Sequence, residues 1–372
     1  MSSPASISTL SEFLLQAQTQ YNVFDLGRGI RKLNNQTFFE WENQQAPCAF
    51  PRQDHAWFCI VFWNEKLSDE RYIWFIKLPL DENGLMISAS LQQFIDIIAQ
   101  ALGKELEHTK NSEAQLPENP YVFTPSQQQL ADCNAHIKKQ LKVESRNNEQ
   151  AMAYLQAPNA IQDSQAWAAL SLQDIADFVI HPHPFYKTDD AFQTLIAHNL
   201  HAYAPAVQNC LFASLESVEI SQTLAQALVQ FHKLASDPNL AALCLRAMSY
   251  KPQALSIEYI TRLIEAGGGE NVITKRDANS AKNKHKKDAE PLNTETCVVI
   301  AGRYWQVLNN EQGLNAFMQN VVLIDSSYAL FKGLYADLVK IPEIRNTLLR
   351  FIRQTERSNE VSKAIGALFA ST

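Results

Sequence analysis

The chain has 372 residues, 46% of them hydrophobic and 19% charged, which is ample material for buried cores and far from the profile of a disordered chain. Its formal net charge of -7 sets it against the basic balance of a dedicated nucleic-acid binder. Six cysteines, at 48, 59, 133, 210, 244 and 297, show no C-x-x-C pair and no repeated spacing, a pattern that points to thiols in a reducing compartment rather than to a disulfide framework.

The opening residues Met1 to Ser6 lack a basic n-region and lead into an amphipathic stretch, and no run reaches the roughly 18 apolar residues that span a bilayer. The expectation is a cytoplasmic protein with no membrane partner. Thr9 and Glu12 have the spacing of a capping box, and Leu10, Phe13, Leu14 and Ala17 recur at helical intervals, predicting a helix over about residues 8–20. A strand follows over Tyr21 to Leu26 and is broken by Gly27-Arg28-Gly29, with Ile30 to Leu33 continuing the extended chain. A short helix over Thr37 to Glu42 is ended by Pro47 and Pro51. WFCIVFW (57–63) and YIWFIKL (72–78), separated by a polar segment, predict a hairpin. In its first strand Trp57, Cys59, Val61 and Trp63 alternate with Phe58, Ile60 and Phe62, so both faces are to be covered. Turn chemistry at Asp81 to Gly84 predicts a third strand over Leu85 to Ser88, then a helix over Ser90 to Leu102.

Prolines 117, 120 and 125 mark a polar linker, and TPSQ at 124–127 has the spacing of another capping box. From about residue 149 onward the pattern is helical. A box at Ser171 opens one helix, and further segments follow at 189–203, 205–217, 221–235, 238–249, 252–266, 294–309, 311–323, 326–340, 342–356 and 358–370. Leu234, Pro238, Leu240, Leu245, Arg246 and Met248 match Leu338, Pro342, Ile344, Leu349, Arg350 and Ile352 at one constant offset, with a weaker echo at Pro205, Val207, Cys210 and Phe212. Proline-opened helices at such spacing are how stacked helix pairs begin.

The fold class expected is therefore mainly α: a small N-terminal α+β domain with an antiparallel sheet over 1–104, a linker over 105–124, and a helical domain over 125–372. The helical domain reads as an α-solenoid of the HEAT or armadillo kind, with an irregular bundle as the alternative. An insertion at about 267–293, with a lysine run at 282–287, interrupts it and reads as a mobile loop.

The opening TLSEFLLQAQTQYNVFDLGRGIRKL, the segments HAWFCIVFWN and YIWFIKLPLDENGL, and the later GRYWQVLNNE resemble an uncharacterised gamma-proteobacterial family known only as a domain of unknown function, over nearly the whole chain. The resemblance implies a bacterial, intracellular protein and carries no catalytic or binding residues with it.

Candidate sites are few. His181 and His183 in His-Pro-His-Pro, with His198 and His201 three apart on a helix, are the residues that would hold a metal, Asp189 and Asp190 being the nearest carboxylates; surface or capping histidines are the default. Gly27-Arg28-Gly29 resembles a phosphate loop only faintly and reads as a turn that needs positive φ. The lysine run has no interleaved aromatics for base stacking. Arg350, Arg353 and Arg357 read as the solvated face of an amphipathic helix. Trp57, Trp63, Tyr72 and Trp74 read as core, or as an interface if one sheet face is left bare. No catalytic residue and no cofactor is expected. The functional expectation is a protein-binding, scaffolding or adaptor protein, with self-association open; the alternatives are a metal-dependent hydrolase built on the histidines and nucleic-acid binding through the insertion.

Overall fold

In a computed structural model, which describes residues 7–66, 70–107, 118–143, 149–160, 165–182, 189–267 and 292–370, the first helix begins as the Thr9–Glu12 spacing requires. The Thr9 hydroxyl accepts from the Glu12 amide at 3.0 Å and the Glu12 carboxylate accepts from the Thr9 amide at 3.2 Å, opening α1 (Leu10–Gln16). Then come β1 (Gln20–Asp25), β2 (Arg31–Leu33), α2 (Asn35–Glu42), β3 (His55–Trp63), β4 (Arg71–Pro79) and α3 (Ser88–Glu107). The strands form an antiparallel sheet in the order β2-β1-β3-β4, with Val23 opposite both Leu33 and Ile60, and Ile60 opposite Trp74.

Alternation along the strands sorts the side chains by face. Tyr21, Val23, Phe58, Ile60, Ile76 and Leu78 share a core with Leu10 and Leu14 of α1, Phe38 and Trp41 of α2, and Leu91, Phe94 and Ile98 of α3. On the opposite face Phe24, Cys59 and Val61 are buried as well, which bears out the two apolar sets of β3.

The predicted strand at 85–88 does not form. Asp81 Oδ1 accepts from the amides of Asn83 and Leu85, both at 2.8 Å, and this turn leaves Met86 only an isolated bridge to Leu80. The fourth strand is instead the short β2. Residues 121–123 also lie along part of β4: Lys77 N–H donates to Tyr121 C=O at 2.7 Å and Phe123 N–H to Phe75 C=O at 3.1 Å.

The chain divides into two compact units, Met1–Cys133 with Lys340–Pro342 and Asn134–Val339 with Glu343–Thr372. The division falls inside α4 (Gln127–Leu141). The second unit is helical: α5 (Glu149–Gln156), α6 (Leu172–Ile180), α7 (Asp189–Asn199), α8 (Pro205–Leu215), α9 (Gln222–Leu234), α10 (Pro238–Ala247), α11 (Ala254–Gly267), α12 (Thr294–Arg303), α13 (Glu311–Ile324), α14 (Ala329–Leu338), α15 (Pro342–Phe351) and α16 (Asn359–Phe369). Their contacts run in two series. α6 packs on α8, α8 on α10, α10 on α12 and α12 on α14; alternately, α5 packs on α7, α7 on α9, α9 on α11, α11 on α13 and α13 on α16. The series meet where α10 packs on α9 and where α13 packs on α12 and α14. Helix starts are set by side chains that accept orphan amides: Ser171 with a full capping box, Ser221, Asp237, Asn293, Asn310 and Ser358.

Three local readings are corrected. α4 starts after Ser126, whose hydroxyl accepts from Gln129 N–H at 3.2 Å, so Ser126 and not Thr124 is the cap. The helix expected over 294–309 ends at Arg303 and tightens into a 3-10 turn over Trp305–Leu308. α15 stops at Phe351, so Arg353 and Arg357 do not share a helix face with Arg350; Arg357 instead donates to Ile352 C=O at 3.0 Å.

Candidate functional site

A buried ion cluster lies where α8, α10 and α12, neighbours in one series, come to their C-terminal ends. Glu216 follows α8 directly, Arg246 stands in the last turn of α10, and Arg303 ends α12. Cations are favoured at the negative end of a helix dipole. Glu216 is buried, and one of its oxygens accepts from Arg246 Nη2 while the other accepts from Arg303 Nε. Burial pushes the carboxyl up, but the two guanidinium charges and their hydrogen bonds outweigh it and hold Glu216 below the usual carboxylate range. Next along the chain, Tyr304 Oη donates to Leu245 C=O at 2.7 Å and Trp305 Nε1 to Glu343 Oε2 at 2.9 Å. Consecutive residues Arg303, Tyr304 and Trp305 thus tie α12 to α8, α10 and α15.

Two histidines sit beside hydroxyls in the same unit. His136 Nε2 is 2.9 Å from Ser217 Oγ, and Ser217 Oγ donates to Ser214 C=O at 2.9 Å. A carbonyl can only accept, so the single hydroxyl proton goes to Ser214 and His136 donates from Nε2. Burial and the charge of Lys139 push His136 down to about 4, so the imidazole is neutral. This arrangement gives a buried bridge between α4 and the end of α8, not a base-activated nucleophile. His232 Nδ1 lies 2.7 Å from Tyr259 Oη; burial holds the histidine at about 4 and the phenol at about 12, so the pair is hydrogen-bonded with both groups neutral.

Asp25 and Glu42, two of the carboxylates buried in the first unit, are held by amides and a hydroxyl. Asp25 Oδ1 accepts from Gly27 N–H at 3.0 Å while its other oxygen is buried with no hydrogen-bond partner. Burial pushes its carboxyl up to about 7, against the pull of the Gly27 amide and the charges of Arg31 and Arg28. Gly27 is required here because a Cβ would stand 1.9 Å from Phe50 C=O, and Gly29 has φ +106. The segment is therefore the turn expected: it leads into β2 rather than a helix, and buried Arg28 donates from Nε to Pro51 C=O at 2.9 Å. Glu42, at the end of α2, reaches back to the start of α1, accepting from Leu10 N–H at 2.6 Å, from Ser11 N–H at 3.3 Å and from the Ser11 hydroxyl. Its carboxyl is also pushed up to about 7 by burial.

The histidines singled out from sequence have separate surroundings. His181 caps α6 and donates from Nε2 to Val143 C=O at 3.0 Å. His198 is exposed in the last turn of α7, and exposed His201 stacks on Phe231 at 5.0 Å. His183 and the lysine run at 282–287 lie outside the described residues. Among the described residues no group of three or more His, Cys, Asp and Glu could hold a metal ion. Of the aromatics, Trp74 packs against Phe62 and Phe94 on the helix side of the sheet, while Trp57 lies between Phe123, Arg52 and Lys77. Tyr72, stacked on Phe62 at 5.6 Å, is the one of the four that is exposed.

Glu216, Arg303 and Asp25 were not singled out from sequence. A lone charged residue among apolar neighbours, as at Asp25 in YNVFDLG and at Arg303 after CVVIAG, was the available signal.

These features define a mainly helical protein with a small antiparallel sheet at its N-terminal end and a series-stacked helical unit after it. No helix among the described residues is long and apolar enough to cross a membrane. The chain belongs to the family described as protein of unknown function (DUF3549), whose model matches residues 5–369. No curated protein and no solved structure matches it.

Proposed function

We propose that this protein is a scaffold or adaptor that binds another protein through its second unit, a helical array of the HEAT or armadillo kind within a helical domain over 125–372, with the α+β domain over 1–104 and a linker between them. The observation that carries the reading is the pair of helix series, in which successive members leave large apolar side chains in water. Leu234 of α9 is 73% exposed, Ile257 of α11 40%, Leu323 of α13 56% and Phe369 of α16 65%. These four helices are consecutive neighbours in one series. Exposed apolar residues on adjoining elements are what a partner buries on binding. The groups that do lie together, Glu216 with its arginines and His136 with Ser217, are consumed by contacts inside the fold, which favours recognition over reaction.

Cross-linking mass spectrometry in native cell extract tests this, comparing the wild type with a Leu234→Glu, Leu323→Glu, Phe369→Glu variant. The reading expects one or more cross-linked proteins, or a second copy of this chain, on α9, α11, α13 and α16, depleted at least tenfold by the substitutions. Identical cross-link sets from the two proteins, or none on those helices, would sink it.

A further inference from the structure

On the sheet face away from α1, α2 and α3, Cys59 and Val61 of β3 are buried, but one end of that face is open to water. There Trp57, Phe75, Lys77 and Phe123 are each partly exposed, and Val122 beside them is 38% exposed. Lys77 stands directly opposite Trp57 in the β3–β4 register, and its ammonium lies 5.5 Å from the centre of the indole. Phe123 meets the same ring edge-on at 4.7 Å and Phe75 in turn packs edge-on against Phe123 at 5.9 Å. The indole is fixed by its Nε1, which donates to Arg52 C=O at 2.9 Å, and the Arg52 guanidinium lies 4.9 Å from the ring centre. Two cations therefore converge on one tryptophan with an aromatic floor around it.

Arg52 is turned back over the indole by a tight turn. Arg52 and His55 exchange both backbone hydrogen bonds at 3.0 Å, and the residues between them, Gln53 and Asp54, have φ +51 and +61. Two-residue turns with positive φ at both positions ordinarily carry glycine or asparagine there. A glutamine in that conformation is backbone strain kept at the spot that positions a cation. The carboxylate of the turn, Asp54, is matched by Lys340 at 2.5 Å, so Arg52, Lys77 and Lys340 together outnumber it. This corner is thus locally basic in a chain whose net charge is -7.

We propose that this corner of the first unit is a docking site for an acidic peptide segment of a partner protein. Arg52 and Lys77 meet its carboxylates, while an aromatic or aliphatic side chain of the segment lies against Trp57, Phe123 and Val122. Charge complementarity selects the occupant. Cations stacked on an indole keep their full charge, and the acidic balance of the whole chain opposes a long polyanion such as nucleic acid but not a short acidic run. The site does not depend on the exposed side chains of α9, α11, α13 and α16, so either surface can fail without the other.

A random peptide library displayed on phage and panned against the full chain tests this. Sequences rich in aspartate and glutamate around an aromatic residue are expected to be enriched. The best of them, labelled with fluorescein and followed by anisotropy, should lose at least tenfold in affinity toward Arg52→Glu and Lys77→Glu, and weaken as salt rises. Replacing its acids by their amides should cost the wild type as much. A selection without acidic enrichment, an amide version that binds equally well, or charge-reversed variants that bind as tightly as the wild type would each overturn the proposal. So would a single-stranded oligothymidylate that displaces the peptide at a lower concentration than unlabelled peptide does. If a charge-reversed variant loses its fold by circular dichroism, Lys77→Met carries the result: it keeps an apolar stem against the indole, removes only the charge, and should still weaken binding at least threefold.

Discussion

The two units bury carboxylates in opposite ways. Glu216 is enclosed by two arginines and stays ionised below its ordinary range; Asp25 and Glu42 are buried among amides, hydroxyls and apolar side chains and are pushed up to about 7. Burial acts in the same direction on all three, so the difference lies in what the neighbouring elements deliver. Stacked helices that end side by side bring arginines to one point, whereas the strand and helix ends around Asp25 and Glu42 bring mainly backbone amides, which satisfy a carboxylate without neutralising it.

The largest effect expected from breaking this contrast is at Glu216. Glu216→Gln leaves two arginines with no counter-charge at the ends of α10 and α12, and should lower stability by about 3 kcal/mol, the lower end of the range for a broken buried pair because the Arg246 side chain is 35% exposed. Urea unfolding followed by circular dichroism measures it, and a loss under about 1 kcal/mol would mean that the triad is no fastener.

A smaller effect sharpens the same comparison through pH. The folded pKa of Asp25, about 7, is raised from an ordinary 3.8, so its contribution to stability is fully present below pH 4 and is lost as pH rises through 7. Glu42, raised from 4.5 to about 7, follows the same sign. Glu216, held below 4.5, contributes above that value and loses its contribution as pH falls through its folded pKa. Asp25→Asn should therefore gain on the order of 2 kcal/mol over the wild type at pH 8 and little at pH 4. Hydrogen exchange across that pH range reads the two units separately, and equal gains at both pH values would contradict the assigned sign.

The smallest effect is at Thr9, whose replacement by alanine removes one half of the α1 capping box and should lower stability by about 1 kcal/mol. If Glu42 alone satisfies the first turn, thermal unfolding of Thr9→Ala will coincide with that of the wild type.

Elements whose signals are local were legible in the sequence. The box at Ser171 opens α6, the prolines at 205 and 238 open α8 and α10, and the aromatic runs pair as β3 and β4. Failures came where a local signal had a competitor. The turn at Asp81 to Gly84 looks like a hairpin turn, yet Asp81 folds the following residues back on itself and Met86 makes only a bridge. Near 124–127 two hydroxyls could cap, and the one after proline does. The polar cluster around Glu216 was invisible for a different reason: its members, Glu216, Arg246 and Arg303, lie far apart in the chain, and only the stacking of α8 on α10 and α10 on α12 brings them together. The helical pattern itself was readable because an apolar stripe repeats within each helix, whereas the order in which helices stack is set by which stripes meet.

The strip of backbone at 121–123 has a consequence for solubility. Hydrogen bonds from Lys77 and to Phe75 are taken up along part of β4, and the far border of the sheet is the short β2 with Arg31 and Lys32 on it. Brevity, cationic side chains and a covering segment are the ordinary safeguards against strand-to-strand recruitment of neighbouring molecules. A chain cut back to its first 117 residues would unveil that stretch of β4, together with its aromatic flank, and is expected to aggregate more readily than the full chain in a light-scattering comparison at equal concentration.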